Sequence, residues 1–267
     1  MSDWPLVSIV TPSFNHGEFI EDTILSVLRQ GYPNLEYLVM DGKSTDGTVD
    51  ILRKYEAQGL KWVSERDAGQ SAAINKGFSM CRGEILAWLN SDDTYMPGAV
   101  QKAVNAFLQH PEAGVVYGNV NIINRSGDYS GSGTFVEPFN AHRFLDGVNF
   151  ISQPAAFFRR SAFFEVEGLD EDLHYVMDLD LWLKLAQSGH QFFYMLDVLA
   201  NVRLHPLTKT ETGRDRRYTE LLQTLYKYGG VSALTTPRAR RYTRDLILTK
   251  MVNLKRAIWS VTPFGGS

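Results

Sequence analysis

Through its first hundred residues the chain alternates short apolar runs with segments of helical period, and no other feature restricts its fold so strongly. The runs are "LVSIV" (6–10), "LEYLVM" (35–40), "LKWVS" (60–64) and "ILAWL" (85–89). Between them lie "EFIEDTILSVLRQ", "TVDILRKYEAQ" and "SAAINKGFSMC", with apolar residues three and four apart. Strands separated by helices predict an α/β fold with a mostly parallel central sheet flanked by helices. Gly31, Gly59 and Gly83 follow the three helices, where a left-handed closing residue belongs, and Pro97 opens a fourth helix running to about His110.

After "GVVYGNVNII" the pattern is less regular, and "NRSGDYSGSG" reads as a hairpin tip or loop. Then "ISQPAAFFRR" reads as a strand, "SAFFEVEG" as a short helix, and "MDLDLWLKLAQSG" as a helix closed by Gly189; "FFYML" and "VLANVRLH" read as strands. At 267 residues and 44% hydrophobic content, the chain has material for one catalytic-size domain, 1–213, with a helical appendage, 214–267.

A single cysteine, Cys81, excludes an internal disulfide, and no close Cys/His spacing suggests zinc. No basic leader opens the sequence and no run approaches the roughly 18 apolar residues of a membrane span, so a cytoplasmic protein is expected. The net charge of −3 conceals an asymmetry. From Arg214 onward there are 11 Lys/Arg against 3 Asp/Glu, leaving 16 against 27 upstream.

In parallel α/β sheets ligands bind beyond the C-terminal ends of the strands. Here those exits read "TPSFN" (11–15), "DGKSTDGT" (41–48), "ERDAGQSAAINKG" (65–77) and "NSDD" (90–93). Such residues also form turns and cap helices, and Ser44 or Asp46 in that role only starts the following helix. Adjacent carboxylates at 92 and 93 repel, and water, a helix start or a cation relieves them.

Five segments in order, "VSIVTPSFNHGEFIEDTILSVLRQGYPNLEYLVMDGKSTDGT", "DAGQSAAINKG", "LAWLNSDD", "MDLDLWLKL" and "RLHPLTKT", resemble the family 2 inverting glycosyltransferases with their nucleotide-sugar-binding GT-A fold. The resemblance covers roughly residues 5–210. It implies that Thr11, Pro12, Phe14 and Asn15 line the nucleotide base and ribose. By the same resemblance Asp41 reads the base edge, and Asp67, Gly69 and Asn75 complete the nucleoside half.

The family's metal motif is often Asp-x-Asp-Asp, whereas this chain has Asn90, Ser91, Asp92 and Asp93. The resemblance therefore makes Asp93 the leading metal ligand. Asp92 is a second ligand or an acceptor for donor hydroxyls. A diphosphate leaving group beside carboxylates needs Mg²⁺ or Mn²⁺ to offset charge. His205 resembles the family histidine that approaches metal or diphosphate, Lys209 is a phosphate-contact candidate, and the loop 205–213 is a candidate cover over the donor.

Inverting transfer needs one carboxylate to deprotonate the acceptor hydroxyl, an effect of roughly 10² to 10⁴-fold. In "MDLDLWLKL", Asp180 and Lys184 read as an exposed i,i+4 pair, while Asp178 shares a face with Leu181, Trp182 and Leu185. The resemblance makes Asp178 the base, with Met177 in place of the family's first acid; a helix N-cap is the alternative. Trp182 is a core residue or an acceptor platform, and Gln153 sits where the family approaches the acceptor. The processive Gln-x-x-Arg-Trp motif does not follow the base, which predicts one sugar per encounter.

In the tail, Ile247, Met251, Leu254 and Ile258 fall at helical spacing, widened by Leu248, Val252 and Trp259 and set among Arg and Lys. This stripe packs on the body or on a second subunit as a homodimer, or 237–261 lies peripherally on anionic lipid. The expected partners are a nucleotide-sugar donor and a glycan or lipid-linked acceptor of bacterial envelope assembly, with no nucleic acid. A metal-dependent nucleotidyltransferase would carry a Gly-rich phosphate loop, and "TPSFNHG" is not one. A non-catalytic binding module is the other rival, suggested by Asn90 and Met177.

Overall fold

The computed structural model describes residues 4–133, 136–206, 208–209 and 213–261, with side chains through Thr249. The four apolar runs form β1 (Val7–Ser13), β2 (Leu35–Asp41), β3 (Lys61–Ser64) and β4 (Ile85–Trp88). Helices α1 (Ile20–Leu28), α2 (Thr48–Tyr55) and α3 (Gln70–Met80) connect them, and α4 (Ala99–Gln109) follows a two-residue strand β5 (Thr94–Tyr95). β1 pairs in parallel with both β2 and β4, and β2 with β3.

Alternation along each strand divides the core. Val7, Ile9, Val39, Ile85 and Ala87 face one side with Ile24 of α1, Leu52 of α2 and Val104 of α4. Val10, Leu38, Met40, Leu86 and Trp88 face the other with Ile74 and Phe78 of α3. Covering both faces explains why the runs are continuously apolar. Gly77 lets α3 approach closely: a Cβ there would lie 2.7 Å from Val10 Cγ1.

Beyond β4 the sheet becomes mixed. Its later members are β6 (Ala113–Ile123), β7 (Tyr129–Ser132), β8 (Ala156–Arg159) and β9 (Gln191–Arg203). The path runs β3-β2-β1-β4-β8-β6-β9-β5, with β7 paired to β6 across the expected hairpin. β8 is antiparallel to β4 and β6, whereas β9 runs parallel to β6 and antiparallel to β5. The segments expected as two strands near the end form one, β9, which absorbs register shifts against β6. In "ISQPAAFFRR" a 3₁₀ turn over Gln153–Ala155 precedes the strand.

The short helices α5 (Ala141–Leu145) and α6 (Arg160–Glu165) precede α7 (Met177–Gln187), which places Leu181, Trp182 and Leu185 in the core beside α3. Gly189, with φ +81°, follows the end of α7 in the left-handed region, as Gly31 and Gly59 do after their helices, but Gly83 does not. α3 ends in an extended Cys81, and Gly83 instead permits a close crossing, where a Cβ would collide with Ser8 Oγ.

The tail forms α8 (Arg214–Leu234), broken at Gly230, and α9 (Pro237–Val261). Leu221, Leu225, Ala233 and Ala239 join the same core as α3 and α7. The change in charge near residue 213 therefore coincides with continuous apolar packing. Ile247 and Leu248 of the tail stripe are each 53% exposed, and the side chains of Met251, Val252, Leu254, Ile258 and Trp259 lie outside the described residues. Among the described residues no helix is long and apolar enough to cross a membrane.

Candidate active site

Three parallel strands deliver polar residues to one edge of the sheet. Asp41 ends β2 in register with Ser13 of β1 and Ser64 of β3. Its carboxylate accepts bonds from the Ser44 amide (3.0 Å) and from the Ser44 and Ser64 hydroxyls, both at 2.5 Å. Asp67 lies close by: a Cβ on Gly42 would stand 3.0 Å from Asp67 Oδ2 and 3.4 Å from the Phe14 ring. Burial, with the neighbouring Asp41 charge, raises the Asp67 carboxyl above its ordinary range. Asp67 Oδ1 also accepts the Gly69 amide at the start of α3.

Phe14 is 59% exposed beside these acids. Asn15 adopts φ +53° and its Oδ1 accepts the Thr45 amide at 2.8 Å, which ties the first exit to the second. The other expected nucleoside residues are placed differently. Thr11 and Pro12 are buried, with Thr11 Oγ1 3.1 Å from Tyr37 Oη. Asn75 spends its amide on the backbone of Leu169, accepting its N–H at 3.0 Å and donating to its carbonyl at 2.9 Å.

The turn after β4 is built from two segments over a hundred residues apart in sequence. β9 holds β5 in register through Thr94 and Asn201, bringing Arg203 and His205 against Asp92 and Asp93. Asp93 is 3% exposed, and its two oxygens accept the Arg203 amide (2.9 Å) and the Asn90 side-chain amide (3.1 Å). Burial first, then the Asp92 charge, pushes its carboxyl well up. The expected leading ligand is thus engaged by the fold. An aspartate in place of Asn90 could not donate that bond while ionised, so the amide accounts for itself through Asp93.

Asp92 occupies the position better suited to a cation. Its Oδ2 lies 3.1 Å from His205 Nε2. A carboxylate and an imidazole at this hydrogen-bond distance are donor types that could serve one Mg²⁺ or Mn²⁺. No third His, Cys, Asp or Glu joins them among the described residues, and a donor diphosphate and water would have to complete the sphere. Arg203, buried, holds this corner by donating from Nε to the Asp92 carbonyl and from Nη2 to Asp22, each 2.9 Å.

A chain of amides leads from this corner towards α7. Asn90 also donates to Gln153 Oε1 (3.3 Å) and accepts from Gln70 Nε2 (2.8 Å), while Gln70 Oε1 accepts Lys209 Nζ at 2.7 Å. Gln153 donates to the Trp88 carbonyl, so it belongs to this network. Burial lowers the Lys209 ammonium to about 8, partly countered by Glu220 and Asp178. His205 and Lys209 of the loop 205–213 are therefore anchored inward, whereas Pro206 and Gly213 are exposed; residues 207 and 210–212 lie outside the described residues.

Asp178 stands in the first turn of α7. It is not the N-cap, which is Val176 without a side-chain bond. Its Oδ2 accepts Asn149 Nδ2 and its Oδ1 the Leu179 amide, both at 2.8 Å. Burial raises its carboxyl, partly offset by those bonds and by Lys209. Asp180, expected on the surface, is fully buried, with Lys184 Nζ 3.4 Å away and Lys227 and Tyr228 donating to it from α8. Trp182 is core, stacked on Trp88 at 6.2 Å and 14°.

Residues 8–166, more than half of the chain, match Glycosyl transferase family 2. The chain belongs to that family. This family 2 chain is 27% identical over 256 residues to chondroitin synthase of Escherichia coli, covering 91% of itself and 37% of that protein. It is likewise 27% identical over 203 residues to hyaluronan synthase of Pasteurella multocida, covering 75% of itself and 21% of the relative. It therefore spans well under half of these relatives.

Among solved structures, Staphylococcus aureus TarS 1–349 in complex with UDP-GlcNAc superposes with TM-score 0.68 at 18% identity, over 90% of this chain and 70% of that one. Mannosyltransferase PcManGT from Pyrobaculum calidifontis, in complex with GDP-Man and Mn²⁺, gives 0.67 at 21%, over 94% and 76%. These likenesses establish the GT-A fold expected from the motifs.

Proposed function

We propose that this family 2 chain moves one sugar, with inversion and without processivity, from a nucleotide-diphosphate sugar to a hydroxyl of a glycan or lipid-linked acceptor in bacterial surface polysaccharide assembly. The observation carrying this reading is a chain of bonds from Lys209 through Gln70 and Asn90 to Asp93, the neighbour of the Asp92–His205 pair, with Lys209 also acting electrostatically on Asp178. Asp41 and Asp67 with Phe14 take the nucleoside. UDP is the default nucleotide, supported by the UDP-GlcNAc complex of TarS, and the glycan class by the named synthases.

Asp92 and His205 hold Mg²⁺ or Mn²⁺, which supplies positive charge against the diphosphate when bound. Lys209 meets phosphate oxygens. Asp178 accepts the acceptor's proton as that oxygen attacks the anomeric carbon and the nucleoside diphosphate departs. Burial raises its pKa, which makes it a stronger base than an ordinary aspartate.

The outer face of α9 is a membrane-docking surface in this reading. Arg240, Arg244, Ile247 and Leu248 line one groove of about 360 Å³, pairing basic and apolar groups as an interfacial helix does. Flotation with anionic vesicles should fail for Ile247→Glu/Leu248→Glu; equal flotation of both proteins removes this surface. A melting-temperature panel with UDP, GDP, dTDP and CDP, with and without Mn²⁺, tests the donor site. At a hundredfold excess over Kd one nucleotide should stabilise by about 2.7 kcal/mol, more with metal. No response to any nucleotide contradicts the proposal.

A further inference from the structure

We infer that Glu220, Lys227 and Tyr228 of α8 are positioning residues that hold Asp178 in its working place, so the basic tail is part of the transfer machinery. The inference rests on the reading of Asp178 as the base.

The first turn of α7 has no side-chain cap of its own. Its approach is fastened from α8 instead. Glu220, 5% exposed, accepts the backbone amides of His174 at 2.9 Å and Tyr175 at 2.6 Å through one oxygen. Its other oxygen is held by Arg216 Nε at 2.8 Å. Two residues after Asp178, Lys227 Nζ and Tyr228 Oη both donate to Asp180 Oδ1, at 2.9 and 2.8 Å.

These contacts bracket Asp178 in sequence, three or four residues before it and two after. They also share one face of α8, because Glu220 and Lys227 are two turns apart. The charges around Asp180 are arranged for fixation: Lys184 lies 3.4 Å from its other oxygen, and Lys227 also approaches Asp170 at 3.7 Å. A carboxylate without solvent exposure has no water to exchange these partners for, so loss of one leaves a buried acceptor short of a donor. The bonds of both clamps go to α7 and the segment before it, and those of Lys227 and Tyr228 to Asp180 involve no residue of the donor corner at Asp92 and His205. Their effect should fall on chemistry, since a 1 Å displacement of a reacting group costs up to about 100-fold in rate.

The test uses the full chain carrying Lys227→Met, Tyr228→Phe or Lys227→Arg, with amide hydrogen exchange over 174–180, nucleotide affinity and sugar transfer measured on each. Lys227→Met should speed exchange within 174–180 and lower kcat by about 10-fold or more, with nucleotide Kd unchanged. Tyr228→Phe should do the same to a smaller degree, and Lys227→Arg should restore most of the rate. Exchange that rises evenly along the chain, or a faster 174–180 segment with an unaltered kcat, overturns the positioning role. Failure of the underlying reading has a different signature: Asp178→Asn then transfers at the wild-type rate, which removes the proposal with it.

Discussion

Replacing Asn90 by aspartate restores the family's more usual acid and should destabilise this chain. Asn90 Nδ2 donates to Asp93 Oδ2 at 3.1 Å, inside a turn where Asp93 is nearly inaccessible. Two ionised carboxylates at that separation repel by about 5 kcal/mol at an effective dielectric constant near 20. The pair can escape by binding one proton, which for an unperturbed carboxyl of pKa about 3.9 costs about 4 kcal/mol at pH 7, and less where burial already raises Asp93. The cheaper route sets the upper limit, so Asn90→Asp should lose up to about 4 kcal/mol in metal-free buffer, a melting-temperature drop of roughly 8–16 °C.

The pH dependence has a definite sign. The folded variant holds a proton that its unfolded chain releases above about pH 4, so stability falls as pH rises, by about 1.4 kcal/mol per unit. Between pH 7 and 5 the deficit should shrink, because the introduced carboxyl, once protonated, can donate to Asp93 as the amide does. Thermal denaturation of both proteins at the two pH values measures this. A variant as stable as wild type at pH 7, or a deficit that grows on acidification, refutes the account of Asn90.

Removing the imidazole in His205→Ala should abolish the extra stabilisation that Mn²⁺ gives in the presence of UDP while leaving metal-free UDP binding; an undiminished Mn²⁺ effect excludes the Asp92–His205 pair as a cation site. Because Lys209 titrates at about 8, nucleotide affinity should weaken as pH rises past that value, and binding at a pH just above it should take up a proton. Calorimetry in two buffers of different ionisation enthalpy reads that uptake, which Lys209→Met should eliminate; equal heats with wild type contradict the phosphate role. On the acid side, kcat/KM should fall with a midpoint above the ordinary aspartate range, because burial raises Asp178; a profile flat down to about pH 4, the ordinary aspartate value, argues against it.

The parallel half of the fold is legible in the sequence because strands buried on both faces leave continuous apolar runs, and the strand exits follow directly from their ends. Asp41, Asp67 and the 90–93 turn are locatable for that reason. The bonding inside the site is not. Arg203 reads as one more strand residue, yet its partners Asp92 and Asp93 lie over a hundred positions away in sequence. Gln70 reads as a strand-exit residue just before a helical segment, and nothing local reveals that it bridges Lys209 to Asn90. Asp180 reads as exposed because spacing to Lys184 is a local signal, whereas its burial depends on Lys227 and Tyr228 from a helix it meets only after folding.

The most direct measurement is a paired assay of Asp178→Asn, an isosteric change that removes the charge at the proposed base. Nucleotide binding by calorimetry should remain within about twofold of wild type while transfer to acceptor falls by roughly 10² to 10⁴-fold. Transfer at an undiminished rate, with binding intact, would show that Asp178 takes no proton and that it does not form one active site with the Asp92–His205 pair.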